Sequence, residues 1–494
     1  MKNKLKHISL LLLSILLVVT ITAGCASSGK KPAGENVSGS ESEAFDDENP
    51  DEFNSDGTPD DGNEGNADDT ESGTSSGTSS GTGSKSSAVS SSAASNTRSK
   101  SSEQTGNIDP EKYRGTTVRY ATWKDPAANE DGIVVSNFQK KYGITVKIDM
   151  IPQAGYVQTL ASYIAAGNSP DICFDNNEFP ATLSVLQPLS AACLNTSDPI
   201  WDQSMFKAST VNNKVYLANT ISNIWGDVNC LYYNKKLFAN NGIPTPEELY
   251  KAGNWTWKTM YGLMQQVKAL GSSYYGAYID PEAFAASVGT GFYKYQDGKL
   301  SNSCTDNMML KTYENLCLWY KEGLLAPSLS NEFVSGKAGM VLTNSFGLKK
   351  TGYFSKMNGN DIGFSYLPDY DANTKVKPSG LFRGWGIVKN APNPVGAGIF
   401  LRYYLDTNNY DTRIAFVSPA AESFFYQLTG VEASKMQYYM TLGVATITGE
   451  EYWTTYTEFY KTDPAQIGTK LNAFSNVVSN NVTKANAYIA SNAK

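Results

Sequence analysis

The stretch from Ala26 to about Asn107 constrains the fold of this chain most, because it cannot form a hydrophobic core. It consists largely of Ser, Gly, Thr, Asp, Glu and Asn, and its few large apolar residues, among them Phe45, Phe53 and Val89, are isolated. Such a segment buries too little apolar surface to offset the entropy lost on ordering. We therefore expect residues 25–107 to be a disordered tether, and the folded body to occupy residues 108–494.

The first 24 residues have the pattern of a targeting signal. Lysines near the start are followed by an apolar run from Ile8 to Ile21, which is too short for a membrane-spanning helix of about 20 residues. Thr22-Ala23-Gly24 then leads to Cys25 and resembles the lipobox of bacterial lipoproteins, although Thr22 stands where Leu is usual. The resemblance implies that residues 1–24 are removed and that Cys25 carries acyl chains such as palmitate. The alternative is a plain secreted protein with a chance cysteine.

The acidic balance of the chain belongs to the tether. Of the formal net charge of −7, the tether contributes 16 acidic and 5 basic residues, so the folded body is nearly neutral. No basic patch with interleaved aromatic residues occurs, and we therefore expect no nucleic-acid partner.

Strand and helix patterns alternate at the start of the folded body. Thr117–Thr122 is predicted to be a strand, and apolar residues on one face predict a helix over Asp131–Tyr142. A second strand at Val146–Met150, a second helix and a strand at Asp171–Phe174 follow. This β-α-β-α-β order predicts a mostly parallel sheet with helices on its faces. The length of the body exceeds one typical core and indicates two lobes.

Several classes of chemistry are excluded or disfavoured by residue type. The single histidine, His7, lies in the signal segment, which rules out histidine-dependent catalysis and histidine-ligated zinc in the mature protein. Phosphate-binding glycine motifs are absent. The remaining cysteines form no C-x-x-C pair and indicate buried thiols, or at most one or two disulfides; they are Cys173, Cys193, Cys230, Cys304 and Cys317. We expect no metal and no cofactor, whereas a glycosidase using two carboxylates stays open.

Five sequence blocks follow one another in a characteristic order. They are Ala165–Ile172, which ends in Pro-Asp-Ile, Leu231–Phe238, which contains Tyr-Tyr-Asn-Lys, Asn241–Trp257, Phe333–Met340 and Gly384–Ile387. In order and spacing they resemble the extracellular solute-binding proteins of ATP-binding-cassette (ABC) sugar importers, the group that contains maltose-binding protein.

The resemblance implies an α/β fold of the periplasmic-binding-protein type II, a clamp of two lobes. Each lobe would be a sheet flanked by helices, and the ligand would lie in the cleft between lobes that close by hinge motion. The N-terminal lobe is expected at 108–218 plus 328–372, and the C-terminal lobe at 219–327 plus 373–494.

Residues at the positions matching the cleft have side chains suited to sugar binding. Aromatic rings pack on the apolar faces of a pyranose, and planar carboxylate, amide or guanidinium groups bind its hydroxyls. Open sheets place ligands at the carboxyl ends of their strands. The candidate ligand-binding residues are Trp123, Asp125, Asp175, Asn176, Glu178, Trp225, Asp227, Asn344, Phe346, Arg383, Trp385 and Trp453.

Some of these residues have structural alternatives. Asp175 or Asn176 could cap the helix that follows. Trp225 and Trp385 could be core residues, and Arg383 could be a structural ion-pair partner.

We predict a non-enzymatic, membrane-anchored substrate-binding protein on the outer face of the cell membrane of a Gram-positive bacterium. As a monomer, it would capture a carbohydrate, expected to be an oligosaccharide, and deliver it to the permease subunits of an ABC importer. Two alternatives stay open: an extracellular carboxylate-dependent glycoside hydrolase and a cell-surface glycan adhesion module.

Overall fold

The computed structural model describes residues 108–126, 131–220, 228–406, 409, 415–430, 436–450 and 459–493. The predicted signal peptide, Cys25, the tether and three candidate site residues, Trp225, Asp227 and Trp453, lie outside these ranges. Within the described ranges, no helix has both the length and the apolar character needed to cross a membrane.

The strands of the described residues form two larger sheets and several two-stranded ones. They are β1 Thr117–Thr122, β2 Thr145–Met150, β3 Ile172–Asn176, β4 Leu186–Gln187, β5 Thr210–Val211, β6 Lys214–Val215, β7 Asn229–Asn234, β8 Tyr275–Ile279, β9 Tyr293–Gln296, β10 Lys299–Asn302, β11 Ala338–Asn344, β12 Ile362–Ser365, β13 Ser379–Leu381, β14 Arg383–Val388 and β15 Gln437–Tyr439.

Helices cover the faces of both larger sheets. They are α1 Asp131–Tyr142, α2 Tyr156–Ala165, α3 Gln203–Ala208, α4 Lys235–Asn240, α5 Pro246–Lys251, α6 Trp257–Lys268, α7 Pro281–Ser287, α8 Asn307–Lys321, α9 Asn331–Val334, α10 Pro394–Tyr404, α11 Pro419–Gly430, α12 Thr441–Thr448 and α13 Ile467–Asn492. Short 3₁₀ turns lie at Pro110–Tyr113, Ala181–Ser184, Ser345–Leu348 and Gly359–Asp361.

The first lobe is built on the sheet with strand order β2-β1-β3-β14-β4. β1 pairs in parallel with β2 and β3, while β14 runs antiparallel to β3. Helix α1 buries Val134, Phe138 and Tyr142, which share one face because they are four residues apart. It ends before Gly143, whose φ of 62° suits glycine. The predicted β-α-β-α-β order is confirmed.

The second lobe is built on the sheet with strand order β12-β7-β11-β8. β11 pairs in parallel with β8 and antiparallel with β7. Every residue of β7 and of β11 is buried, as expected for central strands covered on both faces. Helix α6 starts at a capping box formed by Thr256 and Thr259, and its apolar stripe, which includes Met260 and Met264, packs into this core.

The predicted division of the chain between the lobes is wrong in its later segments. β11 and β12 lie in 328–372, predicted for the N-terminal lobe, yet they pair with β7 of the second sheet. β14 lies in 373–494, predicted for the C-terminal lobe, yet it pairs with β3 of the first. Strand hydrogen bonding decides lobe membership, and the order of sequence blocks carries no information about strand pairing.

Two of the segments that connect the lobes lie side by side. The chain leaves the first lobe after Thr220, which pairs with Trp201, and enters β7, and it returns through β13 into β14. It crosses again between α10, which packs in the core of the first lobe, and α11, which packs in the core of the second. The outgoing and returning segments pair at Ala218 with Trp385, and at Val228 with Gly380. The long helix α13 also joins the lobes, because its start packs in the core of the second and its end in the core of the first.

The five cysteines at 173, 193, 230, 304 and 317 are buried and free. Burial raises the pKa of the Cys230 thiol to about 12 and that of Cys304 to about 12. These two thiols are therefore protonated at neutral pH. Of the two expectations left open for the five cysteines, the structure supports buried thiols.

We expect Trp257→Ala to lower the free energy of unfolding by about 3–5 kcal/mol, because it leaves a large cavity in a closed core. Trp257 is 3% exposed, and its ring stacks on Phe284 at 4.2 Å. Tyr426→Ala is the control, since Tyr426 is 53% exposed, and its effect should stay near 0.5 kcal/mol. Denaturant unfolding measures both, and equal losses would contradict the assignment of Trp257 to the core.

Candidate functional site

The first-lobe edge of the candidate site is formed where β1 and β3 end and β14 begins. Asn176, the last residue of β3, lies opposite Arg383, the first residue of β14. Because β14 starts where the returning segment enters the first lobe, this edge adjoins the second lobe. Arg383 is partly exposed there, whereas Asn176 is buried. The structure thus brings together two of the predicted site residues.

Trp123 and Asp125 lie in the loop that follows β1, and both are partly exposed. The indole ring of Trp123 lies 5.0 Å from the ring of Phe174 and 5.5 Å from that of Tyr156, edge-on to the latter. These aromatic contacts fix the ring while part of it stays accessible. Trp123 therefore has the rigidity and exposure that stacking on a ligand requires.

Asp175 has structural partners at the end of β3. Its side chain is fully buried and accepts hydrogen bonds from the backbone N–H groups of Glu178 (3.0 Å) and Phe179 (3.3 Å) and from the Thr182 hydroxyl (2.5 Å). These bonds hold the turn that follows β3, which is contrary to the predicted ligand role. The capping alternative is wrong for the next helix, because Ala181–Ser184 begins after Pro180 and no side chain caps it. Burial raises the pKa of Asp175 to about 7, against the opposing effect of these donors.

Glu178, unlike Asp175, has a carboxyl oxygen that is buried without a hydrogen-bond donor among the described residues. It is partly buried, and its Oε2 atom is inaccessible and has no hydrogen-bond partner within the described structure. Burial, followed by the charge of Asp175, raises the pKa of Glu178 to about 8. A strongly raised carboxyl pKa is typical of functional sites, and Glu178 lies at the carboxyl end of a strand.

Trp385 belongs to the core of the first lobe, so its prediction as a ligand-binding residue is wrong. The side chain is 3% exposed, its Nε1 donates to the Tyr120 hydroxyl at 2.9 Å, and its ring lies 4.6 Å from that of Phe174. Adjacent glycines in the sequence suggested an open site. They instead allow Leu186 and Leu217 to pack directly against the strand backbone, because a Cβ on Gly386 would fall 2.4 Å from Leu186.

The second-lobe edge contains Asn344 and Phe346, directly after β11. Asn344 caps the 3₁₀ turn Ser345–Leu348, since its Oδ1 accepts from the Phe346 N–H (3.0 Å), and its Nδ2 donates to the Tyr353 hydroxyl (2.9 Å). Its polar atoms thus serve the protein itself, which is contrary to the predicted ligand role. Phe346 is partly exposed and packs edge-on against Tyr353 at 5.1 Å, so it stays a candidate.

Sequence reasoning missed Asp280, Glu282 and Tyr439 at this edge. β8 is parallel to β11, so Asp280 after β8 lies at the edge where β11 ends. Asp280 also caps α7 by accepting from the backbone N–H groups of Glu282 (2.9 Å) and Ala283 (3.0 Å). Acidic residues immediately after a strand pattern were the available signal for the first two. Nothing in the local sequence marked Tyr439.

The environment of the Tyr439 hydroxyl shows that groups from both lobes meet. Burial raises the pKa of Tyr439 well above its usual value, and the charges of Asp280 and Glu282 raise it further, while a hydrogen bond with Asn229 and the charge of Arg383 oppose the rise. Arg383 belongs to the first-lobe sheet and the others to the second lobe. The guanidinium of Arg383 and the carboxylates of Asp280 and Glu282 therefore all lie within electrostatic range of the Tyr439 hydroxyl.

β15 fixes this junction from the side. Tyr438 donates to Asp202 of the first lobe (3.2 Å), and Tyr439 donates to Asn229 of the second (3.4 Å). Successive residues of a strand point to opposite faces, so one short strand contacts both lobes. We call the combined set the inter-lobe site; it consists of Trp123, Asn176, Glu178, Asn229, Asp280, Glu282, Phe346, Arg383 and Tyr439.

The sequence matches the model of the bacterial extracellular solute-binding proteins over residues 114–409. This chain belongs to that family. A sequence search among curated proteins found no match. The membership supports the prediction of a binding protein rather than an enzyme, and of a protein that works outside the cytoplasm.

Solved structures with the same fold are solute-binding proteins too. The extracellular solute-binding protein of Staphylococcus aureus, solved with maltose, is 17% identical, with a TM-score of 0.55 and coverage of 75% of this chain and 97% of that one. The galacto-N-biose-/lacto-N-biose I-binding protein of the ABC transporter from Bifidobacterium longum is 14% identical, with a TM-score of 0.55 and coverage of 75% and 98%. The maltose-binding periplasmic protein of Listeria monocytogenes is 16% identical, with a TM-score of 0.54 and coverage of 74% and 98%. The predicted two-lobed α/β fold is confirmed.

The shifted acid of this solute-binding protein gives a pH-dependent stability. Folded Glu178 keeps its proton up to about pH 8, whereas an unfolded Glu loses it near pH 4.3. The contribution of protonated Glu178 to the free energy of unfolding is fully present below about pH 4.3. It is lost as pH rises towards 8, at up to about 1.4 kcal/mol per pH unit.

We therefore expect the free energy of unfolding of wild type to fall relative to that of Glu178→Gln as pH rises from about 5 to about 8. Denaturant unfolding of both proteins at several pH values measures the difference. Parallel curves would show that Glu178 titrates normally in the folded protein.

Proposed function

We propose that this solute-binding protein captures a carbohydrate, an oligosaccharide, at the inter-lobe site and delivers it to an ABC importer. The observation that most supports this proposal is the combination of a partly exposed, fixed Trp123 ring with planar polar groups from both lobes. A sugar offers apolar C–H faces for the ring and hydroxyls for the carboxylates and the guanidinium. Relatives of the same fold solved with maltose and lacto-N-biose support this ligand class.

The position of the site suggests how capture changes the shape of the protein. Trp123 and Glu178 belong to the first lobe, whereas Asp280 and Glu282 belong to the second. A ligand that contacts both edges favours the conformation in which the lobes are close, because only that state offers all the contacts. The connecting segments absorb the change in angle.

A glycoside hydrolase gains no support from the carboxylates at the first-lobe edge. The closest acid to Glu178 in sequence and in charge interaction is Asp175, which is fully buried and accepts hydrogen bonds from the protein itself. Two acids that flank a glycosidic bond must both reach the sugar, and this pair does not. An adhesion module would bind polymer rather than a soluble oligosaccharide, which a binding assay with short sugars distinguishes.

We expect Trp123→Ala to weaken sugar binding by roughly 30- to 1,000-fold, the usual cost of truncating an aromatic anchor at the centre of a site, about 2–4 kcal/mol. Calorimetry with maltose, maltotetraose and lacto-N-biose measures the dissociation constant, and chromatography of the sugars afterwards tests for cleavage.

Trp385→Ala is the matched control from the same lobe. Because Trp385 is buried, its loss should lower the free energy of unfolding by about 3–5 kcal/mol while the folded fraction still binds sugar with nearly unchanged affinity. The reverse pattern, with Trp123→Ala binding normally and Trp385→Ala failing to bind, would refute the placement of the sugar.

The lipid anchor, the permease partner, the monomeric state and a Gram-positive origin are part of the same proposal. Cys25 and the signal pattern before it motivate the anchor, which would keep the binding protein near its permease. Trp225, Asp227 and Trp453 stay predicted ligand contacts.

We expect Cys25→Ala to release the protein from the membrane, because without the acyl chains nothing inserts into the bilayer. Fractionation of cells that express wild type and variant, followed by detection in the membrane and soluble fractions, measures this. A variant that stays with the membrane would rule out anchoring through Cys25, while unchanged sugar binding by the released protein would show that the fold is intact.

A further inference from the structure

We propose that Glu178 binds the carbohydrate as a neutral carboxylic acid, which makes ligand capture depend on a single proton. The inference rests on the proposed function and adds the protonation state of one contact and its consequence. It starts from the division of hydrogen-bond donors between two acids, Asp175 and Glu178, at the end of β3.

The donors at the end of β3 serve Asp175. This side chain receives two backbone N–H groups and the Thr182 hydroxyl, and each of them stabilises a carboxylate more than an acid. Glu178 contributes one of these donors through its own backbone N–H, while its Oε2 is buried without a partner. When the two acids share one negative charge, that charge therefore resides on Asp175 and the proton on Glu178.

The surroundings of Glu178 offer little that would stabilise an ionised form. From β3 it faces Cys173 and Asp175, and from α2 it faces Tyr156, whose pKa lies well above the usual value because of burial. The turn Ala181–Ser184 and helix α12, which packs on the Glu178 backbone through Gly443, contain no titratable residue. β9 presents Tyr295 to the adjacent Phe179.

The positive charges of this edge do not offset the burial of Glu178. Lys124 lies exposed in the loop after β1, and Arg383 lies at the start of β14. Burial and the charge of Asp175 are the causes of the raised pKa of Glu178, about 8, and neither cation contributes to it. Geometry and charge thus agree that Glu178 is protonated at neutral pH.

A protonated carboxyl differs from a carboxylate in what it can offer a sugar. It has an O–H donor for a ring or hydroxyl oxygen, whereas a carboxylate only accepts. Tyr156 lies within electrostatic range of Glu178 and in edge contact with Trp123, so one tyrosine links the surroundings of the acid and of the ring on which the sugar would stack. A bound sugar excludes more water and makes ionisation of Glu178 still less favourable.

Linkage then fixes the pH dependence of binding. Below the pKa of Glu178 the dissociation constant should be independent of this group. Above that pKa the proton must be taken up with the ligand, so the dissociation constant should rise by up to about tenfold per pH unit. Affinity should therefore fall between about pH 7 and pH 9.

The test uses the mature chain and calorimetry with maltose, maltotetraose and lacto-N-biose at pH 6, 7, 8 and 9. Wild type should bind one of these sugars at pH 6 and lose affinity by up to about tenfold by pH 9, with proton uptake visible as a dependence of the heat on the buffer. Glu178→Gln keeps an N–H donor but cannot ionise, so its affinity, whatever its value at pH 6, should show no loss between pH 6 and pH 9.

Glu422→Gln is the matched control, since Glu422 is an exposed residue of α11 and its variant should keep the wild-type profile. Circular dichroism at each pH confirms that every protein is folded. Wild-type binding at pH 6 with a flat profile to pH 9 would overturn this inference alone. A Glu178→Gln variant that retains the wild-type loss would do the same. Absence of binding to every sugar at pH 6 would overturn the proposed function for these sugars and the inference with it.

Discussion

The arrangement of the two larger sheets depends on the pairing between two segments that connect the lobes. Ala218 pairs with Trp385 inside the first lobe, and Val228 pairs with Gly380 at the entrance to the second. Each sheet therefore presents to the other the edge from which its connecting segment emerges. Open sheets carry polar loops at the carboxyl ends of their strands, so the pairing of the two segments brings the edges that hold the candidate residues of both lobes towards each other.

Burial of charge shapes the chemistry of this site. A carboxylate removed from water is stabilised only where donors replace the lost solvent, and the donors at the end of β3 are sufficient for one acid. Asp175 accepts them and is structural, which leaves Glu178 without these donors and raises its pKa. In the second lobe, Asp280 caps α7 by accepting a hydrogen bond from the Glu282 N–H. Its charge also raises the pKa of Tyr439.

The sequence blocks that indicated the family form mainly strands, helix caps and close packing contacts in the fold. The Tyr-Tyr-Asn-Lys block forms β7 and begins α4, with Asn234 capping that helix through the Leu237 N–H. The Gly-Trp-Gly-Ile block forms β14, where close packing against neighbouring side chains demands small residues. Family membership is thus visible in the sequence because the blocks preserve the framework of the fold.

Several features were determined by the sequence alone, because local composition decides them. The strands and helices from Thr117 to Asn176 follow from apolar spacing. Tertiary structure alone decided the rest. A buried Trp385 and a partly exposed Trp123 look alike in sequence, since exposure depends on which strands lie alongside. Lobe membership of β11, β12 and β14 depends on hydrogen bonds between residues far apart in the chain, and Tyr439 reaches the site only because β15 pairs with β13.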